Sequence, residues 1–410
     1  MTFAVVIPAR GGSKGIPHKN VRPFCGVPLI ALAVRQVLGA TPQVYVTTED
    51  FQIAEIARGE GATVLNRPRS LATDTALGVD VMVDAFQRII EDVVVWHEGT
   101  APLTYSEDLI EAAELLGPGI DCVVSVSPTD DMLLTLDPFA GVGHDPFGCG
   151  TNRQERPQTY RYSGMAWVYP RKAFLQARRG IFGQVVPHIT PHERYVDLDN
   201  PHDWVMGEAL GKALGEWIVV GSSPGGQYAQ RLAGRLPWAM TITTNAAYRW
   251  LSSNPHVYFL SDSLGCELHG NDAAMMQVSG TRLVTLRRAQ AALHSRGVDR
   301  FDEFLPLNGP GENPRFVPGE YAQCALSGLF CLQYALNHGA RRIHLIGMEG
   351  YTDPGKGTRM LETYCGPFTQ SCVDACPSVQ FVTYGHLNYP LHGDNVRQGA
   401  LECQPVMTEA

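Results

Sequence analysis

Three cations and three glycines alternate within IPARGGSKGIPHKN, residues 7–20. Gly11, Gly12 and Gly15 allow close backbone approach, Ser13 offers a hydroxyl, and Arg10, Lys14 and Lys19 supply positive charge. Backbone amides interleaved with cations make a cradle for a polyphosphate. The lysine spacing is not that of a Walker loop. Far along the chain, YVDLD places Asp197 and Asp199 two apart, so in an extended strand both point to one face. Asn200 and Pro201 then suit an N-cap and first helical position. Carboxylates at such a switch suit Mg²⁺, which takes one or two carboxylates plus phosphate oxygens and water. The plainer readings are a glycine-rich surface turn and an acidic helix cap. The co-occurrence of cradle and acid pair favours a metal–polyphosphate site.

These residues need a frame that brings them together. Phe3–Ile7, Gln43–Thr47, Val93–His97 and Cys122–Val126 are Val-rich apolar runs of strand length. Between them Val27–Leu38, Phe51–Gly59, Val79–Ile90 and Tyr105–Leu116 have helix length and period. The alternation predicts an α/β fold, a mainly parallel sheet with helices on both faces. A helix over Trp204–Leu214 ends at Gly215, which sets a boundary between domains 1–215 and 216–410. The second half alternates in the same way, through Trp217–Val220, Ala239–Thr243, His256–Leu260 and Arg341–Ile346, with a helix over Tyr321–Asn337. Two Rossmann-like domains are therefore expected.

A chain of 410 residues with 44% apolar and 18% charged residues, 42 Gly and 28 Pro has material for two cores. A formal charge of −9 opposes a nucleic-acid partner. No run suits a membrane span, and MTFAVVIPAR enters a strand directly, so a cytoplasmic location is expected. The ten cysteines lack CxxC pairs. Cys365, Cys372 and Cys376 fit no zinc spacing, and reduced, mostly buried thiols are expected.

The cation loop resembles the signature of the N-acylneuraminate cytidylyltransferases, the CMP-sialic acid synthetases, and their relatives acting on bacterial nonulosonates. RPRSLATDTA (67–76), NRQERPQTYRYSGMAWVY (152–169) and RYVDLDNPHDWVMGEAL (194–210) follow in that family's order. The resemblance implies attack by the anomeric hydroxyl of a 2-keto acidic sugar on the α-phosphorus of CTP, expelling pyrophosphate. Arg10 and Lys19 would hold phosphate, with Gly11, Gly12, Ser13, Lys14, Asn20, Arg67 and Asp74 around the nucleotide. Asp197 and Asp199 would hold Mg²⁺. Gln154 and Arg161 would meet the sugar, Arg161 at its carboxylate. A homodimer is implied likewise. There are departures. EGTAPLT stands where a QPTSPLR-like segment is usual, so Glu98 replaces a sugar-facing glutamine and Thr104 an arginine. Leu77, Gly78 and Ser163 also depart from the pattern. The nucleotide and metal positions are mostly kept, and the altered sugar pocket implies a non-standard acidic sugar.

In the second half IVVGSSPGG puts a small-residue turn directly after a strand. With TTNAAYRWL, YFLSDS and SGLFCLQYALNHGARRIHLIGMEGY it resembles the domain shared by motility-associated flagellin glycosyltransferases and archaeal hydroxymethylpterin pyrophosphokinases. That implies nucleotide contact by Gly221, Ser222, Ser223, Asn245 and Asp262. Asn245 as a helix cap at Ala246 and Asp262 as a strand end are the plainer alternatives. No catalytic base is assigned, although His386 and Glu349 have suitable chemistry. Four readings stay open. The leading one is a bifunctional enzyme whose second domain transfers the CMP-sugar to a glycan or protein acceptor. The others make the second domain a non-catalytic assembly module or a pterin-type pyrophosphokinase, or the whole chain an inactive nucleotide-sensing scaffold.

Overall fold

The computed structural model describes residues 2–129, 136–137, 141–142, 158–260, 263–298, 300–305, 318, 321, 327–348, 365–384 and 391–399. The chain divides into two compact units, the first ending at Leu210 and the second running Gly211–Glu402. Each is a mainly parallel sheet flanked by helices.

The first unit's sheet contains β1 (Ala4–Pro8), β2 (Val44–Thr48), β3 (Thr63–Asn66), β4 (Val93–Trp96), β5 (Cys122–Thr129), β6 (Thr159–Pro170) and β7 (Val185–Ile189). Their order is β7-β5-β6-β4-β1-β2-β3, all parallel except β6, which runs against β4 and β5. The strands read as continuous apolar runs because both faces are covered. Val5 and Ile7 pack toward α1 (Leu29–Val37), α2 (Phe51–Gly59) and α4 (Ser106–Glu114). Ala4 and Val6 pack toward α3 (Gly78–Phe86) and toward Phe174 of α5 (Arg171–Ala177).

The sheet reverses its order of addition at β1. β2 and β3 build on one side of it and β4 on the other, so a crevice opens at the carboxyl ends of β1 and β4. The chain after β1, β2, β3 and β4 begins at Ala9, Glu49, Arg67 and His97, so these loops stand at that edge.

Three local expectations change. Val27 and Pro28 pair with Pro23 and Phe24 in a short hairpin, because Pro28 sits extended (ψ 132°), and α1 starts only at Leu29. The helix expected over Val79–Ile90 ends at Phe86. YVDLD is extended but joins no strand ladder. Leu198 N–H donates to Thr100 O at 3.0 Å, and Val196 and Leu198 are buried while Asp199 is exposed. The N-cap is as expected. Asn200 Oδ1 accepts from the His202 and Asp203 amides at 2.9 and 3.1 Å, and α6 (Pro201–Ala213) begins there.

The second unit's sheet contains β8 (Glu216–Val220), β9 (Met240–Thr244), β10 (Val257–Leu260), β11 (Arg282–Thr285), β12 (Glu303–Phe304), β13 (Arg342–Ile346), β14 (Gln380–Thr383) and β15 (Val396–Gln398). It is wholly parallel, ordered β12-β11-β10-β9-β8-β13-β14-β15, with its own reversal between β8 and β13. The helices Ser327–Asn337 and Gly366–Ala375 cover one face, and Ser263–Val278 the other. Cys365 and Cys372 are buried in this core and Cys376 is half-buried, and none of the three is in a disulfide.

In the first unit's interior, Arg194 makes a two-pronged ion pair with Asp108, at 2.5 and 2.7 Å, and Asp108 also accepts from Tyr105 N–H at 2.7 Å. Burial alone would raise the Asp108 carboxyl, but Arg194 beside it holds it below the usual carboxylate range. This pair anchors the turn that enters YVDLD. Asp108→Ala leaves a buried guanidinium uncompensated, and the expected loss of stability is about 3–5 kcal/mol. Urea denaturation measures it. A loss near zero would show that Arg194 finds another partner.

Candidate active site

A cleft of about 510 Å³ opens over the carboxyl ends of the first unit's strands. It gathers Arg10, Ser13, Lys14, Gly15, Lys19 and Asn20 from the loop after β1, and Arg67 from the end of β3. Asp74, Glu98, Asp197 and Asp199 complete the wall. Residues nearly two hundred positions apart in sequence thus meet across one opening.

The cation loop is held at several points. Asn20 Nδ2 donates to Arg10 O at 2.9 Å, closing the loop on itself. Gly11 N–H donates to Glu49 Oε1 at 2.8 Å, so this amide, expected to face phosphate, is taken by a side chain at the end of β2. Gly11 and Gly12 lie outside the lining of the cleft. Gly15 packs on the acid segment so closely that a Cβ would come within 2.0 Å of Asp199 O. Lys19 Nζ reaches the same segment, donating to Leu198 O at 2.7 Å and meeting Asp199 Oδ1 at 3.3 Å.

The electrostatics are uneven. Asp74 takes Arg10 Nη1 at 3.0 Å and Lys14 Nζ at 2.6 Å. Lys14 above all, with Arg10, holds its carboxyl below the usual range. Arg67 is buried and donates to Thr47 O at 2.7 Å. Asp197 is raised by burial and by neighbouring Asp199. Glu98 is pushed up to about 7, first by burial and then by Asp197. Oxygen donors at Asp197 and Asp199, the latter 73% exposed, fit a hard divalent cation needing phosphate and water as further ligands. Among the described residues no three of His, Cys, Asp and Glu converge to hold a metal by themselves.

Not every expected residue reaches the cleft. Arg161 lies outside its lining, with its guanidinium stacked 3.8 Å above the Tyr195 ring. Gln154 lies outside the described residues. Thr104 is buried, its hydroxyl donating to Ala101 O at 2.7 Å. Glu49 and Thr100 escaped the sequence reading. Glu49 follows β2 directly and Thr100 lies in the loop after β4, and those positions were their available signal.

In the second unit Gly221 follows β8, and its N–H donates to Ile346 O at 2.8 Å. A Cβ on Gly221 would meet Gly347 O at 2.1 Å, so the loop's first glycine serves backbone packing against the end of β13. Ser223 N–H is taken by Gly347 O at 3.1 Å, while Ser222 is exposed. Asn245 caps nothing. It adopts a left-handed conformation (φ 49°) after β9. Its Oδ1, with the hydroxyls of Thr243 and Thr244, is buried without a hydrogen-bond partner among the described residues. Asp262, Glu349 and His386 lie outside the described residues.

Residues 4–119 match the sequence profile of the cytidylyltransferase family. N-acylneuraminate cytidylyltransferase A of Danio rerio is 35% identical over 216 residues, 50% of this chain and 50% of that protein. The CMP-N,N'-diacetyllegionaminic acid synthase of Legionella pneumophila is 29% identical over 238 residues, 53% of this chain and 100% of that protein. A solved CMP:2-keto-3-deoxy-manno-octonic acid synthetase complexed with CTP aligns with 51% of this chain and 98% of its own, at 15% identity and TM-score 0.42. The chain thus spans about half the length of the first of these relatives and all of the second.

The Gly15 contact gives a direct check. Gly15→Ala drives a methyl group into the Asp199 carbonyl and is expected to cost about 1–3 kcal/mol. Gly12→Ala, where a Cβ meets nothing within 4 Å, is expected to cost less than about 1 kcal/mol. Denaturant titration of the two variants compares them, and equal losses would contradict the close approach of loop and acid segment.

Proposed function

We propose that the first unit transfers a cytidylyl group from CTP to a sialic-acid-like 2-keto sugar acid and releases pyrophosphate. The observation that carries this reading is the convergence of Arg10, Lys19 and Arg67 with Asp197 and Asp199 on one cleft. The sugar's anomeric oxygen forms a bond to the α-phosphorus as the bond to the bridging oxygen of pyrophosphate breaks. Charge gathers on the phosphate oxygens during this exchange. Arg10 and Lys19 stabilise it from a loop already fixed by Asn20 and Gly15, so little reorganisation is needed. Arg67, with Nη2 and Nε tied to Thr47 O and Oγ1, keeps Nη1 for the nucleotide. The triphosphate competes with Asp74 for Arg10 and Lys14. Asp197 and Asp199 are the residues that would hold Mg²⁺, which when bound neutralises triphosphate charge. The site's remaining task is alignment of the hydroxyl for in-line attack.

The second unit takes the complementary role, consuming the CMP-sugar with a glycan or protein as acceptor. In support, Thr243, Thr244 and Asn245 leave buried oxygens unpartnered among the described residues. They lie at the carboxyl end of β9, which neighbours β8 at the point of strand reversal. One observation favours an assembly module instead. The helix Ser263–Val278 exposes Leu264, Leu268, Met275 and Val278 at heptad-compatible spacing.

Pyrophosphate release from CTP with Mg²⁺ and a panel of 2-keto sugar acids tests the first reading. Asp197→Ala and Asp199→Ala are each expected to lower turnover about a hundredfold or more. Full activity in both would place the metal elsewhere. Calorimetry of the full chain with CMP tests the second. Two equivalents are expected, falling to one in Asn245→Ala, whereas a single equivalent in the unmodified chain would leave the second unit as an assembly module.

A further inference from the structure

The helix Ser263–Val278 of the second unit is apolar on two faces. Cys266, Ala273 and Met276 turn inward and share a buried core with Tyr258, Leu260 and Leu283. On the outer face Leu264, Leu268, Met275 and Val278 are 63–87% exposed. A helix that is apolar all round is one that is buried all round. Glu267 is the only charged residue among the exposed positions from Leu264 to Val278. The outer face is therefore built like an inner one.

Its residues follow one rule of spacing. Leu264, Leu268, Asn271, Met275 and Val278 succeed one another by steps of four, three, four and three. That is the a/d alternation of a seam between two helices. Asn271 is exposed and is the one polar residue of the seam. It stands at the middle, seven positions from each end.

This placement decides the occupant. A twofold axis at Asn271 sets that residue against its own copy. Each apolar residue of the seam then meets an apolar residue of the copy, whichever way the second helix runs. A carboxamide both donates and accepts, so two copies of Asn271 satisfy one another. A seam shifted by one step would put Asn271 against Leu268 or Met275, and a buried amide left unpaired costs free energy. The four apolar side chains expose on the order of 500 Å² per copy, so pairing them buries about 1,000 Å² in all, the size a specific interface needs.

We infer that the second unit binds a second copy of itself through this helix, in a symmetric dimer with Asn271 at the twofold axis. Every residue of the contact belongs to the second unit. The inference therefore depends neither on the cytidylyltransferase reading nor on any pairing of the first unit, and it holds whether or not the second unit binds a nucleotide.

Sedimentation equilibrium of the full chain over the micromolar range tests it. The unmodified chain is expected to self-associate. Leu268→Glu combined with Met275→Glu is expected to raise the dissociation constant about tenfold or more. Both side chains are exposed in the protomer, so the urea midpoint of this variant is expected to stay in place. Cross-linking gives a second measurement that poor folding of the double variant cannot affect. Asn271→Cys is expected to form a disulfide with its own copy on mild oxidation, and Gln52→Cys, exposed on α2, to form little. A chain that stays monomeric, or an association constant unmoved in the double variant, overturns the inference. Equal cross-linking of the two cysteine variants overturns it as well.

Discussion

The contact of Lys19 with the backbone at Leu198 closes the first unit's site. Its ammonium spans a sequence separation of 179 residues, and the side chain is only 13% exposed, which protects the bond from water. A hydrogen bond from a charged donor is worth about 1.5–3 kcal/mol. Gly15 makes the neighbouring contact with no room for a methyl group. The loop that carries the cations is therefore held against the segment that carries the acids. Positive and negative groups thus meet in the lining of one opening, the composition that a metal-bridged polyphosphate requires. The parallel sheet supplies the rest, since every strand from β1 to β4 delivers its loop to that edge.

Held this way, the cleft balances part of its own charge. Asp74 neutralises Arg10 and Lys14, and Lys19 answers Asp199. A phosphate chain must displace Asp74, which is exposed, so the exchange costs little desolvation. Glu98 is the exception. Burial and Asp197 push its carboxyl up to about 7, and the Tyr162 hydroxyl beside it works the other way.

Much of this frame was legible in the sequence. Strands buried on both faces leave unbroken apolar runs, and α2 begins and ends where its pattern does, with Asp50 accepting from Ile53 N–H at its start. Cations and acids of the cleft were legible by type and spacing. What escaped depends on partners distant in sequence. YVDLD alternates like a strand, yet no strand lies beside it to form a ladder. Arg161 stacks on Tyr195, a partner distant in sequence that spacing does not reveal. Gly221 looked like a ligand-facing glycine, but close approach to Gly347 demands the same residue. A glycine's lack of a side chain does not say which neighbour required it.

The most direct test of the account is a crystal structure of the full chain with CTP and Mn²⁺, the metal located by anomalous scattering. The account predicts a Mn²⁺ peak at Asp197 and Asp199, the triphosphate along Arg10 and Lys19, and Asp74 released from Arg10. Nucleotide bound with its triphosphate away from the 7–20 loop, or a metal peak remote from both aspartates, would contradict it.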